Sequence, residues 1–463
     1  MHYRQEKDSM GTVLVPGSAY YGAQTQRAVD NFSISGLLFP SPFIRALGMI
    51  KKHAAMVNLD LGLLGRRLAG AVMDAAGEVV AGKFDDQFVV DIFQTGSGTS
   101  THMNTNEVIA GRANEILTGN RGGRSPVHPN DHVNLGQSSN DVIPSAIHIA
   151  ALTEIEHHLL PSMQLLERNL KEKAEAFKGI GKIARTHLQD AVPMKLGQEF
   201  GGYARQLALG IQRLKRLEGN LSELALGGTA VGTGVNSHPA FAARVAAGIS
   251  EETGCPFREA GDHFEAQAAR DAAVETSGTL KTVAVSLVKI ANDIRWLSSG
   301  PRCGLGEINI PSLQPGSSIM PGKVNPVIPE ALLQVAAQVI GNDTAITFSG
   351  QAGNFELNVM LPVIAHNLLQ SIQLLDNGIR TFAEKCISGI TVNREKCASN
   401  LERSLALATA LAPAIGYDRA ASLAKEAHET GKTIRTLALE KKVLPEAEIH
   451  RVIDEMIVGG KKG

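Results

Sequence analysis

Two hydroxyls, an amine and an amide gather in one short stretch, Pro315-Gly316-Ser317-Ser318-Ile319-Met320-Pro321-Gly322-Lys323-Val324-Asn325-Pro326. Its three prolines and two glycines forbid a regular helix or strand, so the stretch is a loop. Ordinary linkers are poorer in such groups, and Ile319 and Met320 are expected to pin the middle of this one into a core. Loops that are both mobile and anchored are where catalytic side chains tend to sit. The plainer alternative is a Gly/Pro-rich connector between helices.

Further polar stretches lie upstream. In Gln94-Thr95-Gly96-Ser97-Gly98-Thr99-Ser100-Thr101, backbone N–H groups and hydroxyls are of the kind that form an anion nest. No βαβ pattern surrounds it and no Walker lysine follows, so nucleotide-binding readings fail. Taken alone, an ordinary helix cap is the better explanation. Asn104-Thr105-Asn106-Glu107, Val127-His128-Pro129-Asn130-Asp131-His132 and Gly136-Gln137-Ser138-Ser139-Asn140-Asp141 add many amides and hydroxyls. Such groups are not buried without partners, so they face solvent or surround a polar ligand. His128, Asp131 and His132 invite a metal, but Pro129 interrupts the spacing that would align them and no second cluster completes a site. Thr186-His187 precedes a long helical run; a lone histidine beside apolar residues is more often a satisfied core residue than a catalyst.

The elements that must hold these groups read as helices. Residues 1 to about 45 look irregular, and Ile44 to Gly82 turns helical. Long runs follow from Ser145 to Phe177, with Pro161 expected to kink it, and from about Leu196 to Leu226. Between Ala272 and Leu297, Leu280, Val283, Ala284, Leu287, Ala291 and Ile294 form one face, while Val285, Val288 and Ile290 add apolar residues elsewhere. A helix apolar nearly all round is expected to be buried on several sides. Further runs open at Pro329-Glu330, stopping at Gly341, and span Pro362 to Lys385. Five long runs with a buried member imply an all-α chain built on a helix bundle. The 463 residues are long enough for about three domains. Changes of character place them at 1–140, 141–390 (the bundle) and 391–463, the last running to Lys461-Lys462-Gly463.

Composition narrows the partners. A net charge of −1 gives no bulk field for nucleic acid or membrane, so an anionic ligand must be held by local donors. Cys255, Cys303, Cys386 and Cys397 show no CxxC spacing, which argues for reduced thiols rather than a disulfide framework or zinc site. With no apolar signal core and no long apolar run, a soluble cytoplasmic protein is expected.

Together the blocks GSGTSTHMNTNEV, VHPNDHVNLGQSSND, ARTHLQDAVPMKLGQE, LALGGTAVGTGVNSHP and PGSSIMPGKVNP resemble, in order and spacing, those of class II fumarases in the fumarase/aspartase superfamily. The likeness runs from Glu6-Lys7-Asp8-Ser9-Met10-Gly11 to the C-terminal region. It implies an all-α, three-domain subunit whose central helices assemble in a homotetramer with active sites shared between subunits. It also implies reversible hydration of fumarate to L-malate without metal or organic cofactor.

That chemistry needs a base, an acid, and donors aimed at the charge that develops on a carboxylate beside the carbanion. By resemblance Ser317 is the base, helped by Lys323 and loop N–H groups, and Lys323 and Asn325 bind the carboxylate that becomes aci. One such donor is worth about 2.7–4 kcal/mol of barrier. His187 is implied to handle the hydroxyl, with Glu330 orienting and charging it from the first turn of a helix that Pro329 suits. Ser97, Gly98, Thr99, Ser138, Ser139, Asn140, Thr186, Ser318 and Val324 complete the implied substrate ligands. His128, Pro129, Asn130 and Asp131 match a peripheral anion site. Two departures stand out: Ser125, beside Arg124, where many relatives have arginine, and Ala184 in place of a usual glycine.

The rival inside the superfamily is aspartate ammonia-lyase, which uses the same carbanion. Gly96-Ser97-Gly98-Thr99 and Ser138-Ser139-Asn140-Asp141 favour fumarase; Val327-Ile328-Pro329-Glu330 and Glu307-Ile308-Asn309 look somewhat aspartase-like. A catalytically silent member with a structural role is the reading from another class. The presence of Ser317, Lys323 and His187 argues against it.

Overall fold

The computed structural model describes residues 2–458, so the tail Lys461-Lys462-Gly463 lies outside it. The chain is all-α, with strands only in short pairs. An antiparallel hairpin, β1 (Tyr3–Asp8) and β2 (Gly11–Pro16), leads to helices α1 (Ala23–Asn31), α2 (Ser41–Asp60) and α3 (Arg66–Val80). Next come α4 (Thr99–Thr118), α5 (Ser139–Glu154) and α6 (Leu160–Ala176), then a second hairpin, β3 (Gly181–Thr186) and β4 (Gln189–Lys195). The remainder holds α7 (Leu196–Lys215), α8 (Glu218–Leu221), α9 (Phe241–Thr253), α10 (His263–Ala268), α11 (Asp271–Leu297), α12 (Val327–Gly350) and α13 (Leu361–Lys385). Short helices fill Arg394 to Val458.

The N-terminal region is thus more regular than its sequence implied. The first hairpin hid because Glu6 and Asp8, not apolar residues, point inward, paired to Arg4 at 2.7 Å and Arg27 at 2.8 Å. α5 starts at Ser139 rather than after Pro144: Ser138 and Asp141 form a capping box, and a proline in the opening turns removes few helical bonds. α5 and α6 join through a π-helical turn, Ile155–Leu159, closed by the Leu160 N–H on the Ile155 carbonyl, which absorbs Pro161. Gly341 does not end α12, since an interior glycine costs only about 1 kcal/mol that packing offsets.

Two compact units emerge. The first comprises Met1–Pro161, Gly210–Ala284 and Val335–Asn377; α2 packs there on α3, α5 and α9 around Leu47, Ile50, Val72, Ile147 and Val245. The second comprises Ser162–Leu209, Val285–Gln334 and Gly378–Gly463. It includes a C-terminal core of Leu407, Leu411, Leu423, Ile434, Leu437, Ile449 and Ile453. Cys255, Cys386 and Cys397 are buried free thiols, and Cys303 is an exposed one. Among the described residues no helix is long and apolar enough to cross a membrane.

Burial on α11 is one-sided. Leu280, Val283, Ala284, Leu287, Ile290, Ala291 and Ile294 are fully buried, but Val285 is 56% exposed. Ile340 and Phe348 on α12 are exposed as well. Within a single chain, then, the expectation of burial on several sides fails.

Leu287→Ala is expected to cost about 2–5 kcal/mol, because its 0%-exposed side chain leaves a cavity when truncated. A urea titration reads this as a lower midpoint with an unchanged slope; an unmoved midpoint contradicts the packing described.

Candidate active site

The polar groups singled out by sequence fall into two sets, one in each unit. In the first unit, α4 and α5 bring their N-termini together. Gly98 caps α4 at φ 75°, and a Cβ there would press on Ile143 of α5 at 3.0 Å. Gly96 is held tighter still: its carbonyl accepts the Leu361 N–H, and a Cβ would sit 1.8 Å from the Val359 carbonyl oxygen. Thr99 and Ser97 share a hydroxyl–hydroxyl hydrogen bond of 2.8 Å. Ser138 caps α5, Ser139 opens it, and Asn140 donates to the Ala230 carbonyl at 2.7 Å. Ser97, Thr99, Ser138, Ser139 and Asn140 are all half-buried. Two neighbouring helix N-termini lined with hydroxyls make a donor-rich surface suited to an anion.

The buried Asp141 carboxylate holds that surface in place. It accepts from the N–H groups of Ser138 (2.9 Å), Gly227 (3.0 Å) and Thr229 (2.9 Å). Burial pushes its carboxyl up to about 6, while those N–H groups and Lys51 work the other way.

Not every polar residue of this region serves a ligand or faces solvent, as its sequence had implied. Asn104, Thr105 and Asn106 are fully buried inside α4, and Thr105 donates to the Thr101 carbonyl at 3.0 Å. Glu107 caps α1 by accepting from the N–H groups of Gly22, Gln24 and Thr25, each at 3.0 Å.

In the second unit His187 sits at the tip of the β3–β4 hairpin, which runs directly into α7. Thr186 pairs with Gln189, so His187 and Leu188 form the turn, with φ of 56° and 62°. Both dihedrals are the primed-turn values that Asn-Gly normally supplies, and a histidine and a leucine there are strained. Thr186, His187 and Leu188 are exposed.

Glu307 clamps β3 along its length, from Lys182 near the open end to Arg185 beside the turn. Arg185 donates to it twice, at 2.7 and 3.1 Å, Lys182 lies 3.4 Å away and Asn400 donates at 3.2 Å. Burial alone would raise the Glu307 carboxyl; the Arg185 hydrogen bonds and the two cations hold it below its ordinary 4.5. Sequence reasoning missed this clamp, whose one signal was an acidic residue beside apolar Ile308.

The loop 315–326 closes on itself. The Gly316 N–H donates to the Lys323 carbonyl at 2.7 Å, and Asn325 Nδ2 to the Gly316 carbonyl at 2.8 Å. A Cβ on Gly316 would meet the Lys323 carbonyl oxygen at 2.6 Å, so only glycine fits this neck. Ser317 Oγ accepts from the N–H groups of Ile319 (3.2 Å) and Met320 (2.9 Å). Lys323 Nζ donates to Asn325 Oδ1 at 2.8 Å, not to Ser317. Ile319 is 83% exposed and Met320 49%, so neither pins the loop into a core of its own chain. Self-closure anchors the loop instead. Ser318 and Val324 are exposed. Lys323, Val324, Asn325 and Glu330 line a cavity of about 770 Å³ with Arg295, Trp296, Asn309 and Asn393. Glu330 stands in the first turn of α12. His187 does not line that cavity, and among the described residues no hydrogen bond joins it to Glu330.

A family model described as Lyase matches residues 11–341, and one described as Fumarase C C-terminus matches 407–456. A class II fumarate hydratase of Nitrosomonas europaea is 56% identical over 437 residues, covering 94% of this chain and 95% of the relative. This chain belongs to the class II fumarate hydratase family. A second member, from Halobacterium salinarum, is 57% identical over 98% of this chain and 96% of its own length. The crystal structure of a recombinant class II fumarase from Schistosoma mansoni superposes with a TM-score of 0.95 at 41% identity, covering 98% of each chain.

In this class II fumarate hydratase family member, Pro129–Val133 form a π-helical turn that His128 caps. Pro129 opens it, and the His128 N–H donates to His132 Nδ1 at 2.8 Å. His128 stays outside the turn in an extended conformation, so His128, Asp131 and His132 do not share α-helical spacing. Among the described residues no group of three or more His, Cys, Asp or Glu side chains is placed to hold a metal. His128 Nδ1 accepts from the Asn130 and Asp131 N–H groups, and burial, then Arg124, lowers its pKa. Ser125 is exposed, and Arg124 lines a nearby opening of about 500 Å³ with Lys7, Ser9 and Asn130.

Removing the clamp tests the hairpin. Glu307→Ala leaves Arg185 without its carboxylate partner and Lys182 with Glu199 alone, at 2.6 Å, and is expected to cost about 3–5 kcal/mol. Because the folded carboxyl lies below 4.5, its contribution is full above that value and is lost as pH falls through the folded one. Native protein should therefore lose melting temperature across that acid window, and Glu307→Gln should lose less there; parallel curves would rule the clamp out.

Proposed function

We propose that this chain catalyses the reversible hydration of fumarate to L-malate by general acid/base catalysis through an aci-carboxylate carbanion. Likeness to class II fumarate hydratases along nearly the full chain carries this reading.

Ser317 is the base in this scheme. A serine is a poor base unless its alkoxide is stabilised, and the Ile319 and Met320 N–H groups aimed at Oγ support that role. Lys323 and Asn325, hydrogen-bonded to each other, hold the carboxylate that takes up charge. His187 passes a proton to or from the hydroxyl, and Glu330 charges it. The α4 and α5 N-termini, through Ser97, Gly98, Thr99, Ser138, Ser139 and Asn140, bind substrate with Thr186, Ser318 and Val324. His128, Pro129, Asn130 and Asp131 form a peripheral anion site, with Arg124 taking the part of the arginine absent at Ser125. No step calls for a metal or organic cofactor, and the setting is cytoplasmic.

The subunit, read as domains 1–140, 141–390 and 391–463, works as a homotetramer. Exposed Val285, Ile340 and Phe348 on long helices favour burial against copies of the chain. His187 and Glu330 without mutual contact in one chain favour sites completed by neighbours.

Fumarate absorbance should rise with L-malate, remain flat with L-aspartate, and be unaffected by EDTA. Fumarate released from aspartate alone would point to an ammonia-lyase. Ser317→Ala should lower turnover at least about 100-fold with the assembly intact; near-native turnover would remove it as the base.

Mixing inactive His187→Asn and Ser317→Ala by joint unfolding and reassembly should restore about one quarter of native activity. Random assembly gives each shared site half a chance of each intact residue. Mixed tetramers no more active than the parents would put both residues of a site on one chain.

A further inference from the structure

Behind Ser139 lies a buried chain of hydrogen bonds that the proposed chemistry does not use. Lys51, on α2, is 0% exposed, and its ammonium meets His102 Nε2 at 2.6 Å, Gln137 Oε1 at 2.8 Å and Asn134 Oδ1 at 3.0 Å. The orientation of both amides is set by their other ends. Asn134 Nδ2 donates to the Gln137 carbonyl at 3.1 Å, and Gln137 Nε2 to the Val133 and Leu135 carbonyls at 3.2 and 3.3 Å. Both therefore present oxygen to Lys51. An ammonium has three hydrogens and no lone pair. It is fully satisfied here only if His102 Nε2 is the third acceptor.

That requirement fixes the imidazole. A ring accepting at Nε2 carries its proton on Nδ1, and Nδ1 of His102 faces Ser139 Oγ at 2.8 Å. Burial, then the charge of Lys51, lowers the His102 pKa, which keeps the ring neutral. Burial pulls Lys51 well below its ordinary value too, with Asp141 opposing. A neutral amine could accept from Nε2–H, so the assignment is that of the ammonium form, which the Asn134 and Gln137 oxygens favour. Ser139 Oγ then accepts from His102, and its own hydrogen is free. Among the described residues His102 is the hydroxyl's hydrogen-bond partner, and Ser139 is half-buried at the opening of α5. The opposite tautomer would draw the serine hydrogen inward and turn lone pairs toward an anion.

We propose that Lys51 and His102 are positioning residues that commit the Ser139 hydroxyl to donate toward a carboxylate of the substrate. This rests on the reading of Ser139 as a substrate ligand. It makes affinity for a dicarboxylate depend on a buried lysine that never touches it.

Steady-state kinetics on tetramers of verified melting temperature test this. Ser139→Ala should raise KM about tenfold or more, the loss of a hydrogen bond to a charged group. His102→Leu should raise it by a similar factor, and the double variant no further, because one acts through the other. His102→Asn, whose amide N–H takes the place of Nδ1–H, should recover KM to within about threefold of native. Lys51→Met should raise KM, and adding His102→Asn should rescue it, since an amide has no tautomer to fix. A merely structural lysine would not be rescued in that way. Additive effects of Ser139→Ala and His102→Leu, or native KM in His102→Leu, overturn the proposal. Native KM in Ser139→Ala overturns the substrate reading itself and the proposal with it.

Discussion

A buried polar or charged group left without a partner costs about 1–3 kcal/mol, and more when it is ionised. This chain buries several such groups, and each sits where separate segments must be joined. Glu107 ties the start of α1 to α4, and Asp141 ties the α5 N-terminus to the Gly227–Thr229 loop. Glu307 ties the second hairpin to Asn400. A carboxylate can accept several hydrogen bonds at once, so one side chain gathers three or four donors. Part of the polar surface of the proposed site follows from these joints: Asp141 places the α5 N-terminus, where Ser138, Ser139 and Asn140 are half-buried.

The same rigidity supports local strain. Residues such as His187 and Leu188 at positive φ cost of order 1–3 kcal/mol each. A turn of that kind persists when its strands are over-determined, and the Arg185–Glu307–Lys182 cluster does this along β3. The loop at Ser317 meets a similar problem differently. It has no regular structure, yet its neck is closed by backbone and amide bonds around a glycine. Its apolar tip at Ile319 is left in solvent within one chain.

Local donors also answer the charge problem. At a net charge of −1 the chain has no long-range field to attract an anion, so N–H groups, hydroxyls and Lys323 must be aimed one by one. Helix N-termini do this at little cost in flexibility, because their unpaired N–H groups are already fixed by the helix.

The sequence by itself determined the all-α class and the long helices, because periodic apolar residues and Gly/Pro punctuation act locally. The blocks around Ser138, His187 and Ser317 were legible for the same reason, as short runs of residue types. Tertiary structure decided what depends on distant partners. It put His187 at the strained tip of a hairpin ahead of α7, since the clamp at Glu307 lies far along the chain. It buried Asn104, Thr105 and Asn106, which composition alone assigns to solvent or ligand. It left Ile319, Val285 and Phe348 exposed, because hydrophobicity marks a residue for burial without saying in which chain it will be buried. And it joined Lys51 to His102 and Ser139, a link invisible in sequence because each side chain comes from a different helix and only packing brings them within hydrogen-bond reach.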